Sequence, residues 1–176
     1  LLVAGAIVLW VVLTYNRLVT LKNRVKEARS DIEVQEKRRY DLVPNLVESV
    51  KGYLTHEKGV LKSVTDARTR AMHAHEGKEK TVAENALAST LKTLFAVAEN
   101  YPDLKANANF LDLQRELSDT ENKIQAARRF SNATINDLNT KIESFPTNLV
   151  AGIFGFRQGE FFDAEAESEK PIRVRF

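Results

Sequence analysis

The chain has no cysteine, so neither a disulfide nor a thiolate metal site can form, although that alone does not fix a compartment. Glycine (7) and proline (4) are scarce across 176 residues, which leaves little of the chain for turns and disfavours a many-stranded β fold. An excess of one charge is also missing. With 26 Lys and Arg against 24 Asp and Glu the net charge is +2, and acids are interleaved with pairs such as Arg68/Arg70 and Arg128-Arg129. Those pairs could contact phosphate or lipid head groups, but a nucleic-acid surface is not expected. No glycine-rich phosphate loop, G-x-S-x-G elbow or H-E-x-x-H pair occurs, and the carboxylates sit in charge-balanced stretches that read as solvated helix faces. His73, His75 and Glu76 cluster, with His56 nearby in sequence; a metal site is conceivable, and a polar loop is the simpler reading. The expectation is therefore a non-enzymatic protein with no cofactor and no metal, of a size for one domain plus an anchor.

What is present begins at the first residue. Leu1 to Leu13 carries no polar side chain other than the indole of Trp10. Thirteen helical residues cover about 20 Å, short of the ~30 Å hydrocarbon core. Because the chain opens on Leu, residues upstream are expected to lengthen the span. A cleaved signal peptide would need a small-x-small site, which Thr14-Tyr15-Asn16-Arg17 does not offer. A buried core helix is the other competing reading. We read residues 1–14 as a single-pass anchor in a bacterial cytoplasmic membrane. Arg17, Lys22, Arg24, Lys26 and Arg29 follow with only Glu27 among them, which puts the body in the cytoplasm, with Tyr15 at the interface.

Beyond the span, apolar residues recur at steps of three and four: Leu18, Leu21, Val25, Ala28, Ile32, then Leu42, Leu46 and Val50. This is a near-heptad helix seam, with a kink expected at Pro44 and a stop at Gly52. Thr55 is expected to cap a second helix through Val60, Leu61, Val64 and Ala67, followed by a loop over residues 73–80. Thr81 is expected to cap a third helix through Leu87, Leu91, Leu94, Ala98 and Tyr101, closed by Pro102. The fourth carries Phe110, Leu113, Leu117, Ile124, Ile135, Leu138, Ile142 and Phe145, and stops at Pro146.

The expected fold is all-α: an N-terminal transmembrane helix continuing into an up-down four-helix bundle, with helices over 15–52, 56–72, 81–101 and 107–145. Two long helices flank two short ones, so the fourth should descend beside the first and finish near the bilayer. That register sets Glu121 level with Arg38 and Arg39, and Arg128 level with Asp31. A structural polar layer of Asp31, Arg38, Arg39, Glu121 and Arg128 should then fix the pairing, and reversing both Arg39 and Glu121 should restore what either reversal alone loses. Near the membrane only two helices remain, too few to stand alone, so a homo-oligomer is expected.

The bundle and its membrane-proximal stalk occupy residues 15–145, and a Phe-rich segment spans 146–162. Trp10, Tyr15, Phe145, Phe154, Phe156, Phe161 and Phe162 are candidate contacts to lipid or to another copy, with core packing as the bland reading. The tail, 163–176, is acidic at Asp163, Glu165, Glu167 and Glu169. It ends in an alternating Ile172-Arg173-Val174-Arg175-Phe176 that suits a short edge strand paired with a neighbouring copy.

Several stretches resemble the LemA family of bacterial membrane proteins. They are Tyr15-Asn16, Arg38-Arg39-Tyr40-Asp41-Leu42-Val43-Pro44-Asn45-Leu46-Val47, and Lys51-Gly52-Tyr53 with His56-Glu57. Further matches are Leu113-Gln114 with Leu117 and Glu121, Ala127-Arg128-Arg129-Phe130, and Asn139 leading to Phe145-Pro146-Thr147-Asn148. Ser131 departs from the pattern, standing where the family usually has an aromatic residue. The resemblance implies a bromodomain-like four-helix bundle behind an anchor and no established activity. It also implies a link to magnetosome membrane formation in one branch and to membrane metalloproteases in others. The partners expected are thus the lipid bilayer, a second copy of the chain, and a membrane metalloprotease or other membrane protein.

Overall fold

A computed structural model describes residues 1–162, and every element in them is helical. Helix α1 covers Leu2–Val50, α2 Lys58–His73, α3 Lys78–Ala98, α4 Pro102–Lys105, α5 Ala108–Glu143 and α6 Thr147–Ile153. The expected C-terminal strand lies outside the described residues. The chain divides into two compact units, one made of Leu1–Val34 and Gln125–Phe161, the other built on Gln35–Ile124. Helices α1 and α5 each contribute to both.

Helix α1 is 49 residues long and joins the apolar run to the charged seam without a break. Pro44 sits exposed inside it and does not end it. Its missing N–H and ring crowding are met on a face that water can reach.

In the second unit the seam residues of every helical segment meet. Val43, Leu46 and Val50 of α1 pack with Val64, Ala67 and Ala71 of α2, and with Leu87, Leu91 and Leu94 of α3. Leu104 of α4 and Phe110 and Leu117 of α5 complete this core, where Phe95 meets the Phe110 ring at a 6.1 Å centroid distance. Tyr53 receives a hydrogen bond from Asn107 at 3.1 Å and Arg38 donates to Glu116 at 3.3 Å, so α1 and α5 run antiparallel.

Two caps differ from expectation. Leu54 is fully buried and draws the chain after Val50 into successive turns, so Thr55 remains in the turn and α2 begins only after Glu57. The loop expected over 73–80 shortens to four residues. Gly77, at φ +100°, takes a backbone conformation that side chains disfavour, and α3 starts at once behind it. Thr81 is interior to α3 and donates to the Gly77 carbonyl at 3.3 Å.

In the first unit Leu18 and Val25 of α1 pack with Ile135 and Leu138 of α5 and with Val150 and Ala151 of α6. The sequence had suggested two bare helices here. Instead α6 folds back and supplies a third apolar face. The chain after α6 has no secondary structure, and side chains meet its backbone. Asn139 donates to the Gly159 carbonyl at 3.0 Å and accepts from the Gly159 N–H at 2.8 Å, while Arg29 donates to the Glu160 carbonyl at 3.2 Å. A Cβ at Gly159 would stand 3.3 Å from Ile135, so glycine suits this close approach.

Candidate functional site

The most organised polar group is a buried ionic centre in the second unit. Glu36, Arg39 and Tyr40 lie three and four residues apart on α1 and therefore share one face. Lys80 and Glu84 do the same on α3. Glu84 stands three residues before Leu87 and seven before Leu91, so the seam that buries those leucines carries it inward. Arg39 is 1% exposed and Glu84 1%.

The Arg39 guanidinium divides between two carboxylates. It donates through Nη2 to Glu84 and through Nη1 to Glu121 of α5, whose side chain is 30% exposed. Tyr40 donates its hydroxyl proton to Glu84 and accepts one from Lys80 at 2.8 Å. Lys80 also donates to the Ala71 carbonyl at 2.8 Å and pairs with Glu84 at 3.3 Å and Glu36 at 3.6 Å. Arg68 of α2 donates to the Tyr40 carbonyl at 2.7 Å. Four helices are thus tied at one level.

Burial raises the Tyr40 pKa well above its ordinary value of 10.0. The hydrogen bond to Glu84 and the charges of Glu84 and Glu36 add to this, and Arg39 opposes it. The folded chain therefore holds the phenolic proton more tightly than the unfolded chain, whose tyrosines release it near pH 10. The stabilisation is whole below pH 10 and falls as the pH rises past it, by up to ~1.4 kcal/mol per pH unit. Tyr40→Phe should lose about 1–3 kcal/mol at neutral pH and show a shallower alkaline decline than the parent. Urea unfolding between pH 8 and 11 checks this. Lys80 is common to both proteins, so their difference isolates the phenol.

The expected polar layer maps onto this centre only in part. Arg39 and Glu121 meet; Arg38 pairs instead with Glu116 on the exposed side, at 3.3 Å. Asp31 is exposed and Arg128 half-buried in the first unit, outside the centre. Sequence reasoning missed Glu84, Lys80, Glu36 and Tyr40, although the heptad position of Glu84 was a usable signal.

The centre offers no room for a substrate, since its charges are spent on one another. A surface groove of about 520 Å³ lies beside it between α2 and α3, lined in part by Ala67, Arg70, His73, Lys78 and Val82. His75 and Glu76 are exposed, and among the described residues no group of three or more His, Asp or Glu is placed to hold a metal ion.

The apolar candidates fall in the first unit. Tyr15 contacts Phe154 at a ring-centroid distance of 4.8 Å and Phe156 at 5.7 Å. Phe145, Leu149, Ile153, Phe154 and Phe161 are exposed, whereas Phe156 is half-buried against the core. Trp10 is exposed on α1, and Phe162, at the end of the described residues, is half-buried. The α1 window that is long and apolar enough to cross a membrane is only 6% buried, so this run is not the core helix of a globular fold.

These features define an all-helical protein with one candidate membrane-spanning helix and an ionic clamp at its core. Residues 28–176 match the profile of the LemA family, and the chain belongs to that family. It is similar to Magnetosome protein MamQ 2 of Paramagnetospirillum magneticum, with 25% identity over 193 aligned positions that cover 95% of this chain and 71% of the relative. It is also similar to Protein LemA of Metamycoplasma hominis, with 31% identity over 137 positions that cover 77% of this chain and 63% of the relative.

Proposed function

We propose that the chain is a non-enzymatic, membrane-anchored scaffold that assembles with further copies of itself to organise a bacterial cytoplasmic membrane. The observation that carries this reading is helix α1, which passes from an unburied apolar run into the packed seam without a joint. A rigid connection of this kind fixes the body relative to the lipid, which suits a protein whose task is placement. The basic flank at Arg17, Lys22, Arg24 and Lys26 supports a cytoplasmic body. The exposed Phe145, Leu149, Ile153 and Phe154 supply apolar surface for lipid or for a neighbouring copy. Relatives named for the magnetosome are in keeping with membrane organisation.

A second reading is an adaptor for a membrane protease or signalling partner, favoured by the α2–α3 groove with its apolar floor and its Arg70, His73 and Lys78 rim. Native mass spectrometry and cryo-EM of the full chain in mild detergent separate the two. Rings or cages at integer multiples of the chain mass are expected. A uniform monomer would sink the scaffold reading, and a monomer bound to one membrane protein would replace it with the adaptor.

A further inference from the structure

We propose that a cleft where α1, the end of α5 and the start of α6 meet binds the phosphate of an anionic membrane lipid. The cleft has a volume of about 170 Å³ and is lined by Trp10, Thr14, Arg17, Leu18, Lys141 and Thr147. One water occupies roughly 30 Å³ of liquid, so an oxyanion and part of its hydration fit.

The lining is suited to such an anion. Trp10, Thr14, Arg17 and Leu18 follow at helical spacing and form one face of α1. Lys141 in the last turn of α5 and Thr147 at the start of α6 face it across the cleft. Two cations and two hydroxyls thus converge, and no carboxylate lines the space. Among the described residues neither Arg17 nor Lys141 has an ion-pair or hydrogen-bond partner. A guanidinium and an ammonium aimed at one site are the donors that phosphate oxygens take up most strongly.

The position argues for a lipid rather than a soluble anion. Trp10 belongs to the apolar run, and Arg17 is the first charged residue after it. The cleft therefore straddles the passage from hydrocarbon-compatible to charged sequence, where an indole is at home and where lipid phosphates lie. Trp10 and Leu18 give it an apolar wall against which acyl or glycerol carbons can rest. This inference rests on the membrane-anchored reading above.

The test uses the full chain in nanodiscs of equal phosphatidylglycerol and phosphatidylcholine, followed by native mass spectrometry of the lipids retained after release. The parent should retain phosphatidylglycerol preferentially. Arg17→Gln and Lys141→Gln should each lower that preference about fivefold, and the pair about 25-fold, as expected for ~1 kcal/mol per basic group at a membrane surface. Lys22→Gln with Arg24→Gln removes two exposed charges from the same helix outside the cleft and should change it less than twofold. An equal loss in that control would reduce the effect to diffuse attraction and overturn the site. Displacement of the lipid by millimolar inorganic phosphate would assign the cleft to a soluble anion and overturn the lipid source. A parent that stays in the membrane pellet yet shows no lipid preference overturns the site alone. A parent that leaves the pellet overturns the anchoring reading itself. Arg17 is exposed, so its single variant keeps the test valid even if Lys141→Gln disturbs packing.

Discussion

Arg39→Met should destabilise the second unit by about 3–5 kcal/mol, the range for breaking a buried ion pair from one side. The variant keeps the length and apolar stem of the side chain, so little packing volume is lost. What remains is Glu84, fully buried and deprived of its guanidinium, with Lys80 and Tyr40 as its remaining partners. Glu121 can turn towards water, because its side chain is 30% exposed. Chemical denaturation followed by helical circular dichroism would read the loss. Glu121→Gln, by contrast, should cost under about 1 kcal/mol, since partly exposed pairs contribute little. The same asymmetry alters the outcome of charge reversal. Exchanging Arg39 and Glu121 would set a carboxylate against buried Glu84, so the double reversal should remain as unstable as Arg39→Glu alone.

That difference shows where sequence was readable. The spacing of Leu18, Val25, Leu46, Leu87, Leu94 and Leu117 is a local property, and each of these residues is buried. Register between α1 and α5 was also accessible, because counting residues along two antiparallel helices sets Glu121 beside Arg39. Glu84 was not recovered because a carboxylate among Lys78, Glu79 and Lys80 looks like part of a solvated face. Only its phase relative to Leu87 and Leu91 distinguishes it. The start of α2 escaped for a different reason. Thr55 has the chemistry of a cap, but burial of Leu54 holds the turn open, and that burial depends on residues far along the chain. The return of α6 likewise depends on Val150 and Ala151 finding Leu18 and Val25, which no local pattern displays.

Val8→Arg combined with Val12→Arg should move the full chain from the membrane fraction to the soluble one. Each arginine at the centre of a spanning helix costs about 2.5–3.5 kcal/mol on insertion scales, so the pair opposes insertion by ~5–7 kcal/mol. Both positions are exposed and the surrounding window is 6% buried, so no folded core is harmed. The melting of the second unit should therefore match that of the parent. Carbonate extraction and a thermal scan of the same preparations check both halves. Retention in the pellet would count against a spanning role, and a large fall in melting temperature would make the apolar run a packing helix after all.

The fastening of Gly159 and Glu160 bears on how the C-terminus is presented. Arg29 stands fourteen residues beyond Tyr15 on one unbroken helix, about 21 Å at ~1.5 Å per residue. The polypeptide thus leaves its aromatic contacts, climbs alongside α5, and is clasped by an amide and a guanidinium before Phe161. Tension applied to residues further on would reach these two side chains first, so the aromatic contacts behind them are shielded from any load carried by the tail.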